Sequence, residues 1–121
     1  MATLVTKCAP DFTAGAVLPN GSIGEITLSD YRGKYVVLFF YPLDFTFVCP
    51  SEILAFDKQI NEFKQRNVEV IGVSVDSVYT HHAWRETPVN QGGIGHVQYP
   101  LVADLSKQIA CAYDVLLNGE V

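Results

Sequence analysis

The residues best placed to do chemistry lie between Pro42 and Glu52, in the stretch Pro-Leu-Asp-Phe-Thr-Phe-Val-Cys-Pro-Ser-Glu. Cys49 is followed directly by Pro50, which suits a first helical turn because the N–H it lacks has no partner there. Downstream, Ile53, Phe56, Ile60 and Phe63 recur on one helical face, while Asp57, Lys58, Asn61, Glu62 and Gln65 fall elsewhere. Cys49 is therefore expected at a helix N-terminus. Unpaired N–H groups and the positive end of the helix dipole favour thiolate over thiol at such a place. A free cysteine titrates near pH ~8.5, and these surroundings can bring it to neutrality or below. A thiolate is a nucleophile, so Cys49 is the candidate reactive centre; the competing reading is an inert core thiol. Thr46 can aim its hydroxyl at the sulfur or at the sulfur's reaction partner, or can simply cap a turn. Glu52 opposes the thiolate by its charge. In the capping-box spacing Cys49-x-x-Glu52 it instead bonds back to backbone N–H groups and holds the turn.

The elements that must position Cys49 can be read on either side of it. Val36 to Tyr41 is a short apolar run, rich in β-branched and aromatic residues and bounded by Gly33 and Pro42. It reads as a strand buried on both faces, as in a parallel sheet. Cys49 then falls beyond the carboxyl end of a buried strand, where ligands gather in open α/β sheets. Before this unit, residues 8–15 read as an extended arm. Asn20-Gly21 marks a hairpin between Ala16-Val17-Leu18 and Ile23 to Leu28, and Ser29 to Gly33 reads as a helical turn closed by glycine. After it, one helix is expected to run to Lys64 and Arg66, with Asn67 closing it. Val68 to Val75 is a second buried strand. Asp76-Ser77 is placed to cap a helix over Val78 to Glu86 that stops near Pro88. Pro100 to Asp104 is a third strand, with Ser106 capping a helix that runs to about Tyr113. Val115-Leu116-Leu117 starts another strand, and Asn118-Gly119 another turn. This alternation is an α/β pattern.

Composition bounds the function. The 121 residues are 49% apolar, enough for the expectation of a single domain over 1–121. A net charge of -5 and a pI near 4.9 disfavour nucleic acid or an anionic membrane as partner. Residues 1–7 lack the apolar stretch of a signal peptide, so a cytoplasmic protein is expected. The three cysteines, Cys8, Cys49 and Cys111, are widely spaced and include no C-x-x-C. That spacing disfavours a disulfide framework, a zinc ribbon and a dithiol exchanger of the thioredoxin kind. Cys8 and Cys111 read as structural thiols. His81 and His82 are adjacent and would point to different sides of a helix, so no metal site is expected. The glycines of Gln91 to Gly95 lack the G-x-G-x-x-G and Walker spacings of a phosphate cradle. His81 and Trp84 read as packing residues or as part of an interface. Arg85 reads as a surface or capping charge, and Tyr41 as a core residue whose hydroxyl could reach the site.

Taken together, several blocks resemble the peroxiredoxins, in particular the typical 2-Cys group that includes alkyl hydroperoxide reductase C and thioredoxin peroxidases. They are Pro42-x-x-x-Thr46-x-x-Cys49 with its flanking Phe-Tyr-Pro-Leu-Asp-Phe-Thr-Phe-Val-Cys-Pro-Ser-Glu, Gly72 to Ser77, His81-x-Ala83-Trp84, and Gly92-Gly93-Ile94-Gly95. The resemblance implies an α/β, thioredoxin-like fold of the peroxiredoxin type, with a central mixed sheet flanked by helices. It implies a thiol peroxidase acting on hydrogen peroxide and organic hydroperoxides through a Cys49 sulfenic acid. Thr46 would hydrogen-bond the peroxide and the sulfur, and Pro42 would shield the pocket from water, the competing reading of Pro42 being a strand terminator. Backbone N–H groups near Cys49 would stabilise the departing oxygen. No cofactor is implied. Thioredoxin or a similar thiol is the implied reductant, and a homodimer assembling to a decamer the implied state. An oligomeric holdase binding unfolded clients is the alternative function, with this truncated chain weakly active or inactive as an enzyme. The family's active-site arginine lies in the strand after Asn118-Gly119, and its resolving cysteine further on; neither is in this sequence. The final strands and C-terminal arm are thus expected to be missing, as in an N-terminal piece of a longer peroxiredoxin.

Overall fold

The computed structural model describes residues 4–44 and 49–115, with Cys49 and Pro50 described by their backbone. Strands β1 (Thr13–Val17) and β2 (Ile23–Thr27) form the expected hairpin. Its turn is closed by Leu18 N–H to the Ser22 carbonyl and by Asn20 Oδ1, which accepts from the Ser22 N–H at 3.0 Å. Gly21 takes φ 89° there, a left-handed angle that side chains resist. A 3₁₀ turn (Leu28–Tyr31) leads to β3 (Tyr35–Phe40). Then follow α1 (Cys49–Lys58), α2 (Ile60–Gln65), β4 (Val68–Ser74), α3 (Val78–Glu86), β5 (Leu101–Ala103) and α4 (Gln108–Ala112).

The strands make one mixed sheet in the order β2-β1-β5-β4-β3. β3, β4 and β5 run parallel, and β1 pairs antiparallel with both β2 and β5. Alternation along β4 and β5 divides the core. Val70 and Leu101 face a cluster with Tyr41, Ile53, Ile60, Trp84 and Tyr99, which seats α1, α2 and α3. Ile71, Val73 and Val102 face a second cluster with Ala16, Ile26 and Ile109. Each such aliphatic side chain taken out of water contributes roughly 1.5–3 kcal/mol. Gly72 lies between the two aligned neighbours Phe39 and Leu101. A Cβ there would stand 2.9 Å from Phe39 Cζ and 3.1 Å from Leu101 Cδ2, so the glycine lets three strands close over a large ring.

Several expectations are corrected. β3 is covered on both faces, but only in part: Val37 and Phe39 pack against the first cluster and Val36, Leu38 and Phe40 against the second, all five are half-buried, and among the described residues the strand pairs only with β4. β4, in the middle of the parallel part, is the strand that is buried. The helix after Cys49 is two helices, interrupted at Gln59 (φ -100°, ψ 9°). Asn67 does close the second, in the left-handed region at φ 58°. Ser77 caps α3 as expected, its hydroxyl accepting from Thr80 N–H at 3.1 Å. Ser106 does not cap α4. The buried Asp104 reaches past it and accepts from the N–H groups of Ile109 (3.1 Å) and Ala110 (2.8 Å). A longer side chain spans the extra turn made by Lys107, itself at φ 62°. Val115 is not in a strand; its N–H bonds to the Ala110 carbonyl. Leu116, Leu117, Asn118 and Gly119 lie outside the described residues.

Candidate active site

Cys49 is the first residue of α1, in the chain segment that follows the carboxyl end of β3. The backbone therefore places the thiol-bearing residue at the positive end of a ten-residue helix, as its spacing predicts. Thr46 lies outside the described residues. Pro42 is exposed just past β3, and its carbonyl accepts from the Ser74 hydroxyl at 3.3 Å, which ties the end of β3 to the end of β4. A cavity of about 320 Å³ opens at the carboxyl ends of the parallel strands, lined by Phe40, Pro42, Val73, Ser74, Asp104 and Val115 among others. That is where open α/β sheets bind ligands.

α1 is held in place by bonds that join it to the segment before β5. The Tyr99 hydroxyl donates to the Ile53 carbonyl at 2.7 Å, and Asp57 Oδ1 accepts from the Gln98 N–H at 2.7 Å. Ile53 itself is fully buried against the sheet. Burial lifts the Tyr99 phenol far above its ordinary value, with the Asp57 charge adding to the effect, so it stays protonated as a donor.

The segment leading to Cys49 is anchored by a buried polar cluster. Asp44, the last described residue before Cys49, receives the Tyr41 hydroxyl on Oδ1 at 2.8 Å and meets His81 Nδ1 with Oδ2 at 2.6 Å. Its own N–H donates to Asp76 Oδ2 at 2.5 Å. The other ring nitrogen of His81, Nε2, lies 3.0 Å from the Val102 carbonyl of β5. The side chains of Asp44 and His81 are both fully buried. Tyr41 is pushed well above the usual phenol range, first by burial and then by the Asp44 carboxylate it faces.

Sequence patterns missed this cluster and the Tyr99–Ile53 bond because their partners are far apart in the chain. His81 is buried as a packing residue would be, but its ring is fully bonded. Trp84 is buried, donating from its indole nitrogen to the Gly92 carbonyl at 3.0 Å, so the glycine-rich loop wraps a tryptophan. Arg85 is not a surface charge: it is 5% exposed and donates from Nη2 to the Pro19 carbonyl, locking α3 to the hairpin turn. Cys8 and Cys111 are not buried structural thiols; both are free and exposed. Cys8 precedes the first strand, and Cys111 takes the outer side of α4 while Ile109 and Ala110 face inward. Among the described residues no group of three or more His, Cys, Asp or Glu could hold a metal ion, and no helix is long and apolar enough to cross a membrane.

The chain as a whole has close counterparts among known proteins. The model of the AhpC/TSA family matches residues 5–120, so the chain belongs to that family. It is 58% identical over 116 residues to Peroxiredoxin-1 of Gallus gallus, covering 96% of this chain and 58% of that protein. It is 56% identical over 119 residues to a mitochondrial thioredoxin-dependent peroxide reductase of Drosophila melanogaster, covering 98% of this chain and 50% of that protein. The reduced 2-Cys peroxiredoxin of Plasmodium vivax superposes with a TM-score of 0.95 at 52% identity, over 98% of this chain and 62% of that one. The fold is thus thioredoxin-like, of the peroxiredoxin type. The chain spans 50–58% of the length of these two curated relatives.

Proposed function

We propose that the protein is a thiol peroxidase in which Cys49 reduces hydrogen peroxide and organic hydroperoxides. The observation that carries this reading is the position of Cys49 as first residue of α1, beyond the carboxyl end of β3, in a chain of the AhpC/TSA family. The Cys49 thiolate attacks the terminal peroxide oxygen. An S–O bond forms as the O–O bond breaks, sulfur loses two electrons, and the departing oxygen takes a proton to leave as water or alcohol. Helix N–H groups stabilise the charge on that oxygen. Thr46 orients peroxide and sulfur, and Pro42, which lines the cavity, limits water. The largely apolar cavity beside Pro42 suits an alkyl tail.

Two thiol groups of thioredoxin or a similar reductant return the sulfenic acid to the thiol, becoming a disulfide as the oxygen leaves as water, in keeping with the name of the Drosophila relative. The exposed free thiols Cys8 and Cys111 suit a reducing compartment such as the cytoplasm. The working unit is a homodimer that assembles further to a decamer, which sedimentation of the reduced protein tests.

The first experiment treats the reduced chain with one equivalent of hydrogen peroxide, traps sulfenic acid and maps it by mass spectrometry. Rapid and selective oxidation of Cys49 is expected, and Cys49→Ser should abolish peroxide consumption. Equal, slow reaction of Cys8, Cys49 and Cys111 would refute the reading.

A further inference from the structure

We propose that His81 is a positioning residue for Cys49, acting through Asp44; the proposal rests on the peroxidase reading above. The chain enters the segment before Cys49 through Pro42, Leu43 and Asp44. Their main chain is bonded to the end of β4 and just beyond it, the Pro42 carbonyl to Ser74 and the Asp44 N–H to Asp76. The side chain of Asp44 is then held by Tyr41 and His81. His81 in turn rests on the main chain of β5, where Val102 pairs with both Ala16 of β1 and Val73 of β4. A continuous line of bonds thus runs from the middle of the sheet, through the imidazole, to the last described residue before Cys49.

The chemistry of this line sets a direction. A carbonyl oxygen only accepts, so His81 Nε2 carries a hydrogen for Val102. Nδ1 meets the Asp44 carboxylate at 2.6 Å, so a second proton lies between ring and carboxylate. The Tyr41 hydroxyl supplies the other Asp44 oxygen, and Asp76 faces the Asp44 N–H. Both oxygens of Asp44 and both nitrogens of His81 are engaged in a site closed to water. Apolar residues would stabilise a buried position of this kind at least as well as an ion pair does. They would not fix a loop entry in direction and distance, and a bonded carboxylate–imidazole pair does. Asp44 lies five residues before Cys49, so holding it fixes the point from which the chain runs on to the start of α1.

The test reads Cys49 itself. Alkylation by iodoacetamide is followed across pH by mass spectrometry, and oxidation by hydrogen peroxide by stopped flow. In Asp44→Asn and in His81→Leu the alkylation profile of Cys49 should move to higher pH by roughly half a unit. The peroxide rate constant should fall about tenfold or more, as misplaced reactive groups do. The double variant should be no worse than the worse single one, because both break the same line. His81→Gln, which keeps a donor for the Val102 carbonyl, should recover part of the loss. Wild-type alkylation profiles in variants that still unfold cooperatively would overturn the proposal, and so would additive losses. If neither single variant folds, Tyr41→Phe is read the same way: a smaller upward move supports the proposal, and an unchanged profile overturns it. Slow peroxide attack on wild-type Cys49 would sink the peroxidase reading, while the alkylation profiles would still decide the positioning role.

Discussion

At the scale of single residues, polar side chains in this protein do their work by being buried with a partner. Tyr41 is 3% exposed and donates to Asp44, so removing its hydroxyl leaves a buried carboxylate oxygen short of a bond. Tyr41→Phe is expected to cost ~1–3 kcal/mol, read from urea unfolding midpoints. A change within experimental error would mean that water replaces the hydroxyl. Cys8 and Cys111 are the opposite case. They are free and exposed, and among the described residues no hydrogen bond or disulfide joins their side chains to α1. Replacing both by serine should leave peroxide consumption within about twofold of wild type, as surface changes usually do. A larger drop would give one of them a part in turnover.

At the scale of elements, the helices are positioned by capping and by close backbone approach. Asp104 caps α4 by accepting two N–H groups at its start, so Asp104→Ala is expected to cost about 1–2 kcal/mol. Ser106→Ala should cost much less, which thermal unfolding of the two variants side by side checks. The loop around Trp84 depends on Gly93. A Cβ there would stand 1.9 Å from the Thr87 carbonyl oxygen, which is backbone and cannot swing away. Gly93→Ala is therefore expected to cost on the order of 1–3 kcal/mol. It should also shift the emission of the chain's single tryptophan, Trp84, whose indole bonds to Gly92. Unchanged emission and unchanged stability would show that the loop can open without loss.

At the scale of the whole molecule, the cluster under α1, α2 and α3 contains two buried phenols, and this gives stability an alkaline limit. Burial raises Tyr41 and Tyr99 above the ordinary value, and the charges of Asp44 and Asp57 add to it. Both stay protonated in the fold, whereas in the unfolded chain they ionise above about pH 10. A group with a raised folded pKa contributes stability that is present below its unfolded pKa. That contribution is lost as pH rises from there toward the folded value. Stability measured by urea unfolding should therefore fall above about pH 10, and the part of the tyrosinate absorbance that Tyr41→Phe and Tyr99→Phe remove should grow together with loss of near-ultraviolet dichroism. Tyrosinate from Tyr41 and Tyr99 appearing before the dichroism is lost would mean that the cluster opens locally.

Much of this was legible in residues close together along the chain. Cys49-Pro50 ahead of the Ile53, Phe56, Ile60 and Phe63 face marked the start of α1. Asn20-Gly21 marked the hairpin, Ser77 the cap of α3 and Asn67 the end of α2, because turns and caps are made by groups a few residues apart. The motif around Cys49 marked the family for the same reason. Tertiary structure alone decided the rest. It set β3 at one end of the strand order, half-covered, because pairing order depends on which distant strands meet. It chose Asp104 over Ser106 once Lys107 took a left-handed turn. It sent Arg85 to the hairpin instead of to solvent. It brought His81 to Asp44 across 37 residues and Tyr99 to Ile53 across 46. Periodicity records which face of an element is buried, but not which polar atom waits on the other side of that face. The chemistry-bearing residue was therefore readable from local pattern, whereas the bonds that hold its helix and its approach exist only in the packed chain.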